Sequence, residues 1–288
     1  VAVVAGLVLG FSIWLFILRG YDRIEPDALR YLLRVAVMGG LASLVAATLL
    51  NEGYRTLIGI PDTFMLEPDA VPIRRIALFA LVAGMSEEIC KAIAAVYATR
   101  LFGDIDEPVD AMIYAMSVAL GFATVENLLY ALQFGPDVLV WRFLWPVPAH
   151  MAYAAVWGYG FARARFLFPN RNRARMMAPS VIAAGLLHAA GNLGLFLDQA
   201  FTAILSLSVL AGLGYLAHLR LMKLVTESPF LEPGECPMCR NLNDAGASHC
   251  FFCGTPLNDS EFYRLCPCGK KRVPAHTRSC VHCGIPIS

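Results

Sequence analysis

The chain has 288 residues, 58% of them hydrophobic and 16% charged, with a formal net charge of +1. Soluble domains are about a quarter charged, so this balance excludes an ordinary soluble domain and points to a polytopic membrane protein. The near-zero net charge offers no electrostatic case for nucleic acid, and no nucleic-acid partner is expected.

Counting about 20 apolar residues per crossing, the sequence predicts seven spans, at residues 1–18, 31–50, 76–101, 111–134, 141–161, 179–197 and 201–221. The chain opens on Val, and its first run lacks a basic leader and a small-x-small cleavage site. It therefore reads as a spanning helix, not a signal peptide. Residues 51–72, rich in Pro and acid, read as a loop forming a flap or surface helix, and 133–140 as a short turn. The brief link at 197–201 predicts that the last two spans pair antiparallel. Basic residues cluster after spans one, five and seven (Arg19 to Arg34, Arg163 to Arg175, Arg220 and Lys223), and Arg100 falls on the same side. Only Arg55, Arg74, Arg75 and Arg142 fall opposite. Basic loops stay in the cytoplasm, so a multi-pass protein of the inner or plasma membrane with a cytoplasmic C-terminus is expected.

The third span carries Ser86-Glu87-Glu88-Ile89-Cys90-Lys91 near its middle. Ionisable groups at that depth are costly and tend to mark function. Lys91 lies four and three residues after the two carboxylates, within reach of either on a helix. The fourth span carries Glu126-Asn127. The fifth carries His150 behind Pro146 and Pro148, which should disturb the helix. The sixth carries His188 and Asn192, one turn apart on one face. At about 1.5 Å per residue these groups lie roughly 8–17 Å from one boundary, so four helices contribute to one slab. Carboxylates and imidazoles at one level suit hydrolysis. The carboxylate takes a proton from water, while the imidazoles and the amide stabilise an oxyanion or hold a water-activating metal. The competing structural readings are a buried ion network for the Glu pair with Lys91, a broken-helix partner for His150 and interhelical glue for Glu126.

Glu87-Glu88-x-x-Lys91, Phe122-x-x-x-Glu126-Asn127, Pro148-Ala-His150 and His188-x-x-x-Asn192 resemble the motif series of the PrsW family of intramembrane proteases, distant relatives of the CAAX-prenyl endopeptidases. The resemblance covers residues 33–224. It implies cleavage of a membrane-anchored protein, in the best-known cases an anti-sigma factor. On the same ground Glu87 with Glu88 would activate water, and His188 with Asn192 would hold an oxyanion or a catalytic zinc. Glu126 stands where the CAAX-type relatives have histidine. The runner-up functions are a non-catalytic receptor or scaffold, and a proton- or ion-coupled transporter.

The composition changes at residue 225, giving an expected layout of a helical domain at 1–224, a linker at 225–235 and a tail at 236–288. Cys236-x-x-Cys239 and Cys250-x-x-Cys253 have the spacing of a four-cysteine zinc ribbon. Cys266-x-Cys268 with Cys280-x-x-Cys283 gives a second set whose first knuckle is one residue short, with His276 or His282 as substitute ligands. Two structural zinc ions are expected, since a cytoplasmic tail disfavours disulfides. Residues 227–288 hold six basic and six acidic groups, and two thiolate-bound zinc sites add negative charge. The tail therefore suits a protein partner better than a phosphate backbone. The fold class is an all-α polytopic membrane protein of about seven transmembrane helices plus a small cytoplasmic zinc-ribbon domain.

Overall fold

The computed structural model describes residues 2–61, 71–196, 200–232, 234–244, 247–257, 263–266, 272–274, 277, 283 and 285–286. The helices run α1 (Ala2–Arg19), α2 (Leu29–Arg34), a π-helical turn (Val35–Gly39), α3 (Gly40–Ile58), α4 (Ile73–Phe102) and α5 (Pro108–Phe134). They continue with α6 (Val138–Leu144), α7 (Pro146–Phe166), α8 (Arg173–Phe196) and α9 (Ala200–Thr226). Among the described residues five stretches are long and apolar enough to cross a membrane: α1, the continuous Leu29–Ile58, α5, Arg173–Gly194 of α8 and Ile204–Thr226 of α9. The other two long helices, α4 and α7, carry the ionisable and broken-helix motifs, which lower their hydropathy. Together the seven correspond to the seven runs read from the sequence.

α5 is the hub. Most of its residues are buried, and it touches α1, α3, α4, α6, α7 and α9. Its close crossing with the second helix rests on Gly121, where a Cβ would lie 1.9 Å from the Ala36 carbonyl oxygen inside the π-helical turn. Small residues at crossings let backbones approach where burial from water gives no drive between helices. α4 crosses α8 in the same way. A Cβ on Gly84 would lie 2.6 Å from the Ala189 nitrogen. Apolar side chains on the outer faces, such as Phe16 on α1 and Leu205 on α9, are exposed, as a lipid-facing surface requires.

Three expectations change. Residues 51–58 are helical, because α3 runs on to Gly59, whose left-handed φ of 76° ends it. The rest of the expected flap, 62–70, and the link 197–199 lie outside the described residues. The fifth span is broken rather than disturbed: α6 ends and α7 restarts across Trp145. Pro146 lacks an N–H and biases its predecessor away from helix, so it sits where a helix begins. The sixth span begins earlier, at Arg173, and Pro179 lies inside it.

Beyond α9 the described tail contains a four-cysteine cluster and an antiparallel pair, β1 (Tyr263–Leu265) and β2 (Arg272–Pro274), with Arg264 opposite Val273. Tyr263 is buried in the main helical core, and Arg240 donates to the Ile24 carbonyl at 3.4 Å. The tail thus rests on the bundle end formed by the α1–α2 and α4–α5 loops.

Candidate functional site

α4 presents Glu87, Glu88 and Lys91 toward α5, α7 and α8. Glu88 is fully buried and is bonded by three donors. Lys91 Nζ reaches Oε1 at 2.8 Å, His188 Nδ1 reaches the same oxygen at 2.9 Å, and Trp157 Nε1 donates to Oε2 at 2.9 Å. An ionised carboxylate only accepts, so this bond places a proton on His188 Nδ1 and turns Nε2 toward Glu87 Oε2, 3.6 Å away. Tyr153 stacks on the His188 ring with centroids 4.9 Å apart.

Glu87 is held from one side only. Asn51 Nδ2 donates to its Oε1 at 3.2 Å, and Ser86 Oγ donates to Asn51 Oδ1 at 2.6 Å. Glu87 Oε2 is buried without a hydrogen-bond partner, with Lys91 Nζ at 3.6 Å. His150 uses both ring nitrogens. Nδ1 accepts from Lys91 Nζ at 2.9 Å, and Nε2 faces Glu126 Oε2 at 3.2 Å. Arg142 of α6 forms an ion pair with Glu126, donates to Asn127 Oδ1 at 2.6 Å and lies over the Tyr130 ring.

Two cavities flank this network. One, of about 290 Å³, is lined by Trp145, His150, Tyr153, His188 and Asn192. The other, of about 260 Å³, is lined by Asn51, Glu87, Phe122, Glu126 and Tyr130. Glu87 and the two histidines stand between them. Asn192 lines the first cavity one turn beyond His188; among the described residues no hydrogen bond joins it to the carboxylates.

One ligand atom each from Glu87, His150 and His188 lies within 4.8 Å of the others. The donor set of one carboxylate and two imidazoles fits a catalytic metal. Two features support that fit: the Glu87 oxygen that accepts no hydrogen bond, and the Glu88–His188 bond, which is the outer-shell contact that orients a ligating histidine. Lys91 holds His150 Nδ1, so a metal and the Lys91 ammonium compete for that nitrogen.

Glu87, Glu88, Glu126, His150 and His188 are therefore brought into one network, with Asn192 at its edge. Trp157, Arg142, Asn51 and Tyr153 belong to it too and escaped the sequence reading, as did the bond from Ser86 to Asn51. Asn51 had the outline of a loop residue, and Arg142 that of a free loop charge. A tryptophan or tyrosine in an apolar run gives no signal of its partner.

The four tail thiols form a second cluster. Cys236 and Cys253 sulfurs are 3.5 Å apart, as are those of Cys239 and Cys250, and all four lie within 4.8 Å. Each knuckle turns back through a positive φ after its second cysteine, at Arg240 and Gly254. Arg240 is held there by its ion pair with Glu235. Cys90, Cys236, Cys239, Cys250, Cys253 and Cys283 are free thiols. This cluster can hold a structural metal ion. In the second set Cys266 and Cys283 sulfurs are 3.3 Å apart. Cys268 and Cys280, with His276 and His282, lie outside the described residues.

The fold and site define a multi-pass α-helical membrane protein with a buried glutamate–histidine centre able to hold a metal. A family model described as PrsW family intramembrane metalloprotease matches residues 27–219, about two thirds of the chain, and the chain belongs to that family. It is 29% identical over 150 residues to the protein named Protease PrsW of Geobacillus kaustophilus (strain HTA426), covering 52% of this chain and 61% of the relative. The Protease PrsW of Clostridioides difficile (strain 630) is 27% identical over 214 residues, 69% of this chain and 81% of the relative. That of Bacillus subtilis (strain 168) is 30% identical over 125 residues, 43% and 57%. The chain thus spans about three fifths of the Geobacillus relative and four fifths of the Clostridioides one. No solved structure matches.

Proposed function

We propose that the protein is an intramembrane endopeptidase that hydrolyses a peptide bond of a membrane-anchored protein, with Glu87, His150 and His188 as metal ligands. The observation that carries this is the buried Glu87 Oε2, which accepts no hydrogen bond and faces two imidazoles from other helices. A metal bound there would polarise the scissile carbonyl and lower the pKa of water. The remaining residues position that centre. Glu88 fixes the His188 ring and its tautomer, while Lys91 and Trp157 fix Glu88. Glu126, neutralised by Arg142, holds His150 through Nε2. Asn192 presents an amide at the cavity where a substrate carbonyl would lie, and burial of the whole set keeps bulk water out.

The tail reading is a proposal of the same kind. The Cys236, Cys239, Cys250 and Cys253 set would bind one zinc, and Cys266, Cys268, Cys280 and Cys283 a second. Residues 236–288 would form a cytoplasmic adaptor joined through 225–235 to the helical part at 1–224. Its role would be to engage a protein partner.

The test is quantitative proteomics of membrane-anchored proteins in cells carrying either the wild-type chain or Glu87→Gln. At least one membrane-anchored protein should accumulate uncut with Glu87→Gln. An unchanged membrane proteome, with the variant present at wild-type level, would sink the proposal.

A further inference from the structure

A third cavity, of about 210 Å³, lies far from the glutamate–histidine centre, and its lining is mostly polar. Arg100 from the end of α4, Arg165 from the end of α7 and Arg173 from the start of α8 line it, with Thr99 and Asp104. Arg165 and Arg173 are half-buried, while Arg100 and Asp104 are exposed. Arg165 directs Nε and Nη2 at the Ile105 carbonyl, at 3.1 and 2.6 Å. Among the described residues none of the three guanidinium groups is in an ion pair. Three like charges therefore converge on one polar cavity with a single carboxylate at its rim. Such an arrangement favours entry of an anion. Guanidinium forks match phosphate oxygens in a bidentate way, which an ammonium cannot do.

The three elements are also the ones that carry the site. Arg100 follows Glu87 by 13 residues, Arg165 follows His150 by 15, and Arg173 precedes His188 by 15. At about 1.5 Å per residue, each arginine lies roughly 20 Å along its own helix from the centre, at a common end of the bundle. We propose that this cavity binds a phosphate-bearing anion, which ties together the ends of α4, α7 and α8. A phospholipid headgroup and soluble phosphate share that chemistry.

The test is the thermal unfolding of the full chain in three settings: phosphatidylcholine nanodiscs, the same discs containing phosphatidylglycerol, and phosphatidylcholine discs with inorganic phosphate at matched ionic strength. Either phosphatidylglycerol or inorganic phosphate should raise Tm by about 3 °C or more. A rise only with the lipid assigns the headgroup, and a rise with inorganic phosphate in phosphatidylcholine assigns soluble phosphate. The R100Q/R173Q variant should lose the rise. The R171Q/R175Q variant, which removes two charges from the same loop region without touching the cavity, should keep it. No rise in either setting, a full rise in R100Q/R173Q, or equal loss in R171Q/R175Q would overturn the proposal. If R100Q/R173Q does not fold, hydrogen exchange of the wild-type chain decides. Protection at residues 99–105 and 165–173 should increase with the anion, and unchanged protection overturns the proposal.

Discussion

Glu88 sits at the focus of the buried network, and its three donors explain why an ionised carboxylate is tolerated there. A hydrogen bond to a charged group contributes about 1.5–3 kcal/mol. Trp157→Phe keeps most of the apolar volume and removes one of those bonds, so it should cost about that much stability, read by denaturant unfolding in detergent. His188 tests the other role. His188→Ala should lower the metal content of the purified full chain by one equivalent while leaving the tail's share in place. Unchanged content would mean that His188 is not needed to hold a metal there. Both outcomes are read by elemental analysis and need no substrate.

At the scale of elements, the site depends on how closely α4 and α8 cross. Gly84 lies three residues before Glu87, and an added Cβ would press on the Ala189 backbone, next to His188. Backbone cannot swing aside as a side-chain end can. Gly84→Ala should therefore cost about 1–3 kcal/mol by overpacking. It should also reduce turnover of any identified substrate by about 100-fold, because a shift of about 1 Å at the centre has that effect. Wild-type turnover would show that the crossing does not set the glutamate–histidine geometry. The break between α6 and α7 matters for the same reason. Arg142, on α6 just before the break, turns in to Glu126 and Asn127.

At the scale of the molecule, the tail and the bundle meet over a cluster of acids. Burial pushes the Asp22, Asp27 and Glu107 carboxyls up to about 6, 7 and 8, with neighbouring carboxylates such as Asp106 and Glu25 adding to the rise. At Asp22 the bond that the Asp27 backbone N–H donates to Oδ2, at 2.6 Å, opposes it. A carboxyl whose folded pKa exceeds its unfolded value favours folding fully below the unfolded pKa. That contribution is lost as pH rises through the folded one. Stability at this end should therefore fall between about pH 4 and pH 8. Hydrogen exchange of residues 22–28 and 104–110 should show more protection at the acid end of that window, and Glu107→Gln should flatten the dependence. Greater protection at the alkaline end would contradict this account.

The seven apolar runs, the slab of Glu87, Glu88, Glu126, His150 and His188, and the spacing of the first four thiols are all legible along the chain. Those follow from composition, helical rise and metal-ligand spacing, all of which are local or periodic. The tertiary structure decided the pairings: Trp157 with Glu88, Asn51 with Glu87, Arg142 with Glu126, and Lys91 with His150. Depth along a helix is a one-dimensional quantity that a chain reveals by counting. Which face meets which neighbour depends on crossings such as Gly84 against Ala189, and no single helix carries that information. Only the packed bundle distinguishes Glu87, with an oxygen left for a ligand, from Glu88, whose oxygens are already taken.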